Sequence, residues 1–76
     1  MPTVYARTLR RAAELVGGED VLAARLGVPW KQLRRWMHDL VKPPADVFVA
    51  AADIVGEHEL KMLRQQKRES ERNSGQ

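Results

Sequence analysis

A chain of 76 residues with a formal net charge of +3 and no cysteine has the length of one small domain. The lack of cysteine excludes disulfides and thiolate metal sites. Its longest apolar run, residues 47–52, is far shorter than the ~20 residues that span a bilayer, and residues 1–11 lack the apolar core of a signal peptide. We therefore expect a cytoplasmic protein without a membrane segment.

Glycine and proline divide the chain into segments of helical length. Because no segment alternates apolar and polar residues as a strand does, the sequence predicts an all-α fold, a compact bundle of four to five helices. The first four predicted helices run from Thr3 to Val16, from Glu19 to Leu26, from Pro29 to about His38, and from Pro44 to Gly56. Glycines 17 and 27 stand where left-handed caps end the first two helices.

The composition changes after Gly56. Glu57 and Lys61 are four residues apart in the orientation that stabilises a helix, so we predict a short further helix over 57–68 and a disordered tail over 69–76. Leu60 and Leu63 are isolated apolar residues in this polar segment. Two interpretations are open: they pack across the two-fold axis of a dimer, or they fold back onto the first or fourth helix of their own chain.

The third predicted helix separates apolar from cationic side chains. At about 100° per residue, its apolar residues form one stripe and its cations lie on the opposite side. The stripe contains Leu33, Trp36, Met37 and Leu40, and the other side contains Lys31, Arg34, Arg35 and His38. A solvated face normally mixes charges of both signs, whereas a helix that reads the DNA major groove needs cations on its outer face. The pattern predicts a buried Trp36 and favours DNA binding.

The stretch GGEDVLAARLGVPWKQLRRWM, residues 17–37, resembles the helix-turn-helix of small phage Cro/repressor-like proteins of the Cro/YdaS type. The resemblance rests on Leu22 and Ala23, on the Leu26-Gly27-Val28 turn, and on Leu33 and Trp36, and it covers about residues 9–56. It implies a lambda-repressor-like fold with a DNA-binding domain over 1–56. Asp39 stands where such proteins often have glycine, which favours continuation of the third helix toward Val41.

The same resemblance implies that DNA contacts lie on the outer face of the second motif helix. The corresponding residues here are Trp30, Lys31, Arg34, Arg35 and His38. Either arginine can donate to guanine or phosphate, and the lysine is suited to phosphate. Trp30 has two open interpretations, either as additional core beside Val28 or as a contact with DNA or a partner protein.

No enzyme, cofactor or metal site is predicted, because the chain has no phosphate loop, no nucleophile with a base, and two widely separated histidines. The sequence therefore predicts a sequence-specific DNA-binding regulator, a repressor or autoregulator of phage or mobile-element type, that binds double-stranded DNA as a homodimer. An alternative is a helix-turn-helix scaffold that binds a protein partner, as an antitoxin-like neutraliser or a host-factor inhibitor. RNA binding is a weaker third hypothesis, because no aromatic stacking platform is visible.

Overall fold

The computed structural model describes the backbone of residues 3–74 and the side chains of residues 3–67. Residues 3–74 form four α-helices and no strand: α1 (Val4–Val16), α2 (Glu19–Leu26), α3 (Trp30–Met37) and α4 (Ala45–Ser74). The all-α prediction is confirmed. None of the described helices has the length and apolar composition that a membrane span needs.

Both ends of α1 follow from its flanking residues. The Thr3 hydroxyl accepts a hydrogen bond from the Ala6 N–H at 3.2 Å and so satisfies one of the free amides of the first turn. Gly17 adopts the left-handed conformation, with φ 104°, and its N–H donates to the Ala13 carbonyl at 3.1 Å. The predicted end of this helix is confirmed.

The core contains side chains from all four helices. The largest fully buried side chains are Leu9 of α1, Leu22 of α2 and Leu33 of α3. Trp36 of α3 is 5 % exposed and belongs to the same cluster, so its predicted burial is confirmed. Helix α4 contributes a buried alanine, Ala51, whose small side chain lets the helices approach closely.

An aromatic pair outside the buried cluster joins the first and last helices. The rings of Tyr5 on α1 and Phe48 on α4 meet edge to face, with centroids 5.0 Å apart and an interplanar angle of 76°. The Lys42 ammonium lies 5.4 Å from the Tyr5 ring centroid, so the loop between α3 and α4 also contacts this pair.

The predicted end of α3 at about His38 is confirmed to within one residue, whereas the alternative continuation toward Val41 is wrong. The helix ends at Met37, and Asp39 adopts a left-handed φ of 61°. Aspartate tolerates this conformation better than most residues, so it ends the helix where a glycine would otherwise be expected. As a result Leu40 leaves the predicted apolar stripe and is 74 % exposed.

Asp39 also ties the end of α3 to the start of α1. Its carboxylate accepts hydrogen bonds from the Thr3 N–H at 3.1 Å and from the Thr3 hydroxyl. The Thr3 side chain is the main cause that lowers the pKa of Asp39 below its ordinary value. Close by, the Arg10 Nε donates to the Met37 carbonyl at 3.2 Å, which places a cation at the negative end of α3.

The predicted helix end at Gly56 is also wrong. Helix α4 runs without interruption for 30 residues, so the fourth and fifth predicted helices are one. The glycine disfavours the helix by about 1 kcal/mol relative to alanine, and the helical residues on both sides outweigh that cost. The backbone of residues 69–74, where the sequence predicts disorder, continues this helix, and residues 75 and 76 lie outside the described residues.

Helix α4 extends well beyond the core. A helix of 30 residues is about 45 Å long at 1.5 Å per residue, and the molecule measures 53 × 25 × 18 Å. Leu60 and Leu63 are both exposed. Neither side chain is buried by folding back onto the chain, and Leu63 only lines a shallow groove with Arg11 of α1.

Trp36→Ala is expected to remove a large part of the stability of the protein and to lower its melting temperature markedly. Truncating a buried tryptophan costs about 3–5 kcal/mol, and a domain of 76 residues has a total stability of about 4–11 kcal/mol. Thermal denaturation followed by circular dichroism measures this loss. Trp30→Ala is the matched control and should melt close to the wild type, because Trp30 is exposed. Equal melting temperatures for wild type and Trp36→Ala would contradict the packing.

The contribution of Asp39 to stability is expected to depend on pH. A carboxyl with a lowered pKa in the folded protein stabilises it at pH values above its unfolded pKa of about 3.9. That stabilisation is lost as the pH falls through the lower folded value. Urea denaturation of wild type and Asp39→Asn should therefore show a difference in unfolding free energy at pH 7 that shrinks below about pH 4. A difference that stays constant from pH 7 to pH 3 would count against the hydrogen bonds to Thr3.

Candidate nucleic-acid interface

The turn between α2 and α3 has three residues with separate roles. Gly27 is left-handed, with φ 69° and ψ 33°, a conformation that glycine adopts without strain. Val28 donates its N–H to the Ala23 carbonyl at 3.1 Å. Pro29 is extended and caps α3, and its carbonyl accepts the Leu33 N–H at 3.1 Å. Pro29 is thus the N-cap and not the first helical residue, one position from the prediction.

The buried side of this helix pair fixes its geometry. Leu22 and Ala23 of α2 and Leu33 of α3 are buried together, and Leu26 and Val28 pack against the same cluster at its edge. The polar side of α3 is therefore held at a defined orientation relative to α2. Core packing on one side of a helix gives the precision that recognition on the other side requires.

The outer side of α3, which we call the cationic face, contains Lys31, Arg34, Arg35 and His38. All four side chains are exposed. Among residues 3–67 the salt bridge that forms joins Arg11 to Glu14 on α1, so no described carboxylate pairs with the cationic face. Helix α3 contains no acidic residue. The face is thus a surface of one charge sign, open to an anionic partner.

Trp30 lies at the first position of α3, beside the cationic face. Its side chain is 44 % exposed and is not part of the core cluster. Of its two interpretations, burial in the core is excluded. The Arg34 guanidinium carbon lies 4.9 Å from the Trp30 ring centroid, which is within cation–π distance. At an exposed site such a contact is worth about 0.5–1 kcal/mol, which favours this position of the Arg34 guanidinium.

Two residues that sequence reasoning missed hold α3 in place. Arg10 reaches across 27 positions to the Met37 carbonyl, and Thr3 reaches across 36 positions to Asp39. Neither contact follows a helical or strand period, so no sequence pattern predicts it. Both lie at the C-terminal end of α3, opposite the end that Pro29 begins.

The described side chains offer no metal centre. Residues 3–67 bring together no group of three or more His, Cys, Asp or Glu side chains. His38 lies at the end of α3, and His58 lies on α4 beside Glu59 and Met62 in a shallow groove with Arg11. The two histidines line different parts of the surface.

Comparisons of the chain with models of protein families, with curated proteins and with solved structures find no match.

Proposed function

We propose that this protein is a sequence-specific DNA-binding transcriptional regulator, in which α2 and α3 act as a helix-turn-helix and α3 enters the major groove. The observation that carries the proposal is the division of α3 into a buried apolar side and an exposed cationic face with no carboxylate partner among the described side chains. DNA presents one negative charge per phosphate, and exposed lysine and arginine displace its counterions, which favours binding.

The dimensions and side chains of α3 support a groove-reading role. An α-helix with its side chains is about 10–12 Å across, and the major groove is about 12 Å wide. Arg34 and Arg35 are assigned to base edges or phosphates, because a guanidinium donates two parallel hydrogen bonds to guanine O6 and N7. Lys31 is assigned to phosphate as a point charge. His38 is assigned to the DNA backbone, one turn further along the helix.

Trp30 is assigned to the edge of the DNA contact. An indole ring half exposed beside an arginine can contact a thymine methyl or a sugar through its apolar edge. Its stacking on Arg34 would orient that guanidinium before DNA binds, which lowers the conformational entropy cost of binding.

A single helix of eight residues covers only a half-site. Proteins of this kind gain useful affinity and specificity by binding a two-fold site as homodimers. We therefore propose a homodimer on a two-fold symmetric operator, acting as a repressor or autoregulator of phage or mobile-element type in the cytoplasm.

A second candidate function is binding to a protein through the same surface. Tryptophan and arginine are among the residues most enriched at the energetic centres of protein interfaces, and Trp30 and Arg34 stand together at 4.9 Å. In that case the protein is an antitoxin-like neutraliser or an inhibitor of a host factor, and the cationic face binds an acidic protein surface.

The double variant Arg34→Ala, Arg35→Ala is expected to weaken specific DNA binding strongly and to keep its fold. Removing one base contact should cost about 1–3 kcal/mol of specific binding, whereas exposed charges add little to stability. The measurement is fluorescence anisotropy at near-physiological salt on a duplex selected by the wild type from a randomised pool. The double variant Arg7→Ala, Arg11→Ala removes the same charge from exposed positions on α1 and is the matched control. Equal affinity of the α3 variant and the wild type would reject DNA reading by α3 and favour the protein-binding candidate.

Tryptophan fluorescence is expected to report DNA binding through Trp30 alone. Trp36 is buried, so the selected duplex reaches only the exposed indole of Trp30. Titration of the wild type with that duplex should change its emission, whereas Trp30→Phe should bind with little change in emission. An unchanged response in Trp30→Phe would place Trp30 outside the interface.

A further inference from the structure

Helix α4 has two apolar faces, and the core uses only one. The inner face packs on the other helices through Val47, Ala51, Ile54 and Val55. A second series lies about 100–180° around the helix from Ala51, at 100° per residue. We call it the outer face, and it contains Val49, Ala52, Gly56, Leu60 and Leu63. Its three large side chains, Val49, Leu60 and Leu63, are all exposed.

No neighbour among the described residues requires a glycine at the centre of this outer face. Gly56 lies inside a helix and not in the left-handed region, and a Cβ added there would meet no atom within 4 Å. Glycine disfavours a helix relative to alanine, so a helix that keeps one here gains no stability from it. Close approach of another backbone is a role that glycine fills and a larger residue does not.

The charges of α4 are divided along its length. Residues 45–60 contain four acidic residues and no lysine or arginine, and residues 61–67 contain three cations and no acidic residue. Two such helices side by side in parallel would place like charges together. In antiparallel orientation with the crossing near Gly56, residues 61–67 of each helix lie beside residues 45–51 of the other, so the cations are separated from one another and lie beside the segment that contains Asp46. Residues 53–59 of the two copies lie near each other in either orientation, so their acidic side chains do not distinguish the two.

We propose that the outer face of α4 binds the same face of a second copy of the chain, with the two helices antiparallel and crossing near Gly56. Two-fold symmetry about Gly56 places Leu60 of one copy opposite Ala52 of the other. It likewise places Leu63 opposite Val49. Next to the crossing a leucine then meets an alanine, further out a leucine meets a valine, and the glycines permit close approach at the centre of the contact.

The arrangement is compatible with the fold of each copy. The outer face lies about 100–180° around α4 from the buried Ala51, and Leu63 also lines the groove beside Arg11 of α1. This contact supplies the homodimer that the proposed function requires. The contact does not involve DNA. The dimer test can therefore fail while the protein still binds DNA, and DNA binding can fail while the protein is still a dimer.

The first experiment measures mass in solution without DNA. Sedimentation equilibrium over a micromolar concentration series should give twice the mass of the chain for the wild type. Leu60→Gln should raise the dissociation constant of the dimer by at least about tenfold, because a leucine side chain of each copy is no longer buried in the contact. Met62→Gln is the matched control. Met62 is 44 % exposed and Leu60 is 55 % exposed, but Met62 lies on the opposite side of α4 and its change should leave the dimer intact.

Circular dichroism checks that each variant remains helical. A wild type with the mass of one chain at every concentration would overturn the proposal. A Leu60→Gln dimer as tight as the wild type would also overturn it, as would equal weakening by Leu60→Gln and Met62→Gln.

The second experiment tests the orientation of the helices. Because the chain has no cysteine, the single variants Val49→Cys and Leu63→Cys each carry one thiol. Mixed and oxidised, they should form a disulfide between the two different variants, and each variant alone should form little. Efficient crosslinking of each variant with itself, and none between the two, would contradict the antiparallel contact.

Discussion

The burial of one side of α3 is the constraint on which the rest of the molecule depends. A helix of eight residues is too short to be stable alone in water, because nucleation is costly and few hydrogen bonds follow it. It exists here because Leu33, Trp36 and Met37 are buried against the other helices. The same burial forces Lys31, Arg34 and Arg35 outward. Packing and surface charge are thus two results of one arrangement of residues along the helix.

The ends of α3 are secured differently from its middle. Pro29 caps the start with backbone groups alone, since its side chain offers no acceptor. The other end depends on polar contacts to α1, from Asp39 to Thr3 and from Arg10 to the Met37 carbonyl. These contacts join the first and third helices, and they do not involve the outer side of α3. The cationic face is held in place without using any of its own charges.

The sequence predicts most of the first three helices because their ends are set locally. Gly17 and Gly27 each take the left-handed conformation that the pattern implies, and helical spacing alone separates the buried Trp36 from the exposed arginines. Sequence patterns fail to predict the end of a helix where local preferences compete with contacts between distant residues. Asp39 ends α3 in a conformation usually assigned to glycine, and its carboxylate is held there by a residue 36 positions away. No local pattern contains that contact.

The continuity of α4 through Gly56 has the same kind of cause. A glycine between two strongly helical segments predicts a helix end. Its cost of about 1 kcal/mol is small, however, compared with the stabilisation from packing on the core, which involves Val47, Ala51, Ile54 and Val55. Once the helix is continuous, residues on both sides of the glycine share one face, so Val49 and Leu63 are presented together.

A chain this short buries only about 60 % of its unfolded surface, and its core is correspondingly thin. A second apolar face on the helix that already anchors the core gives the protein a way to bury more surface without lengthening the domain. Because that face and the core lie on one rigid helix, association of two copies would also set the distance between their cationic faces. That distance must match the spacing of the half-sites in a two-fold DNA site.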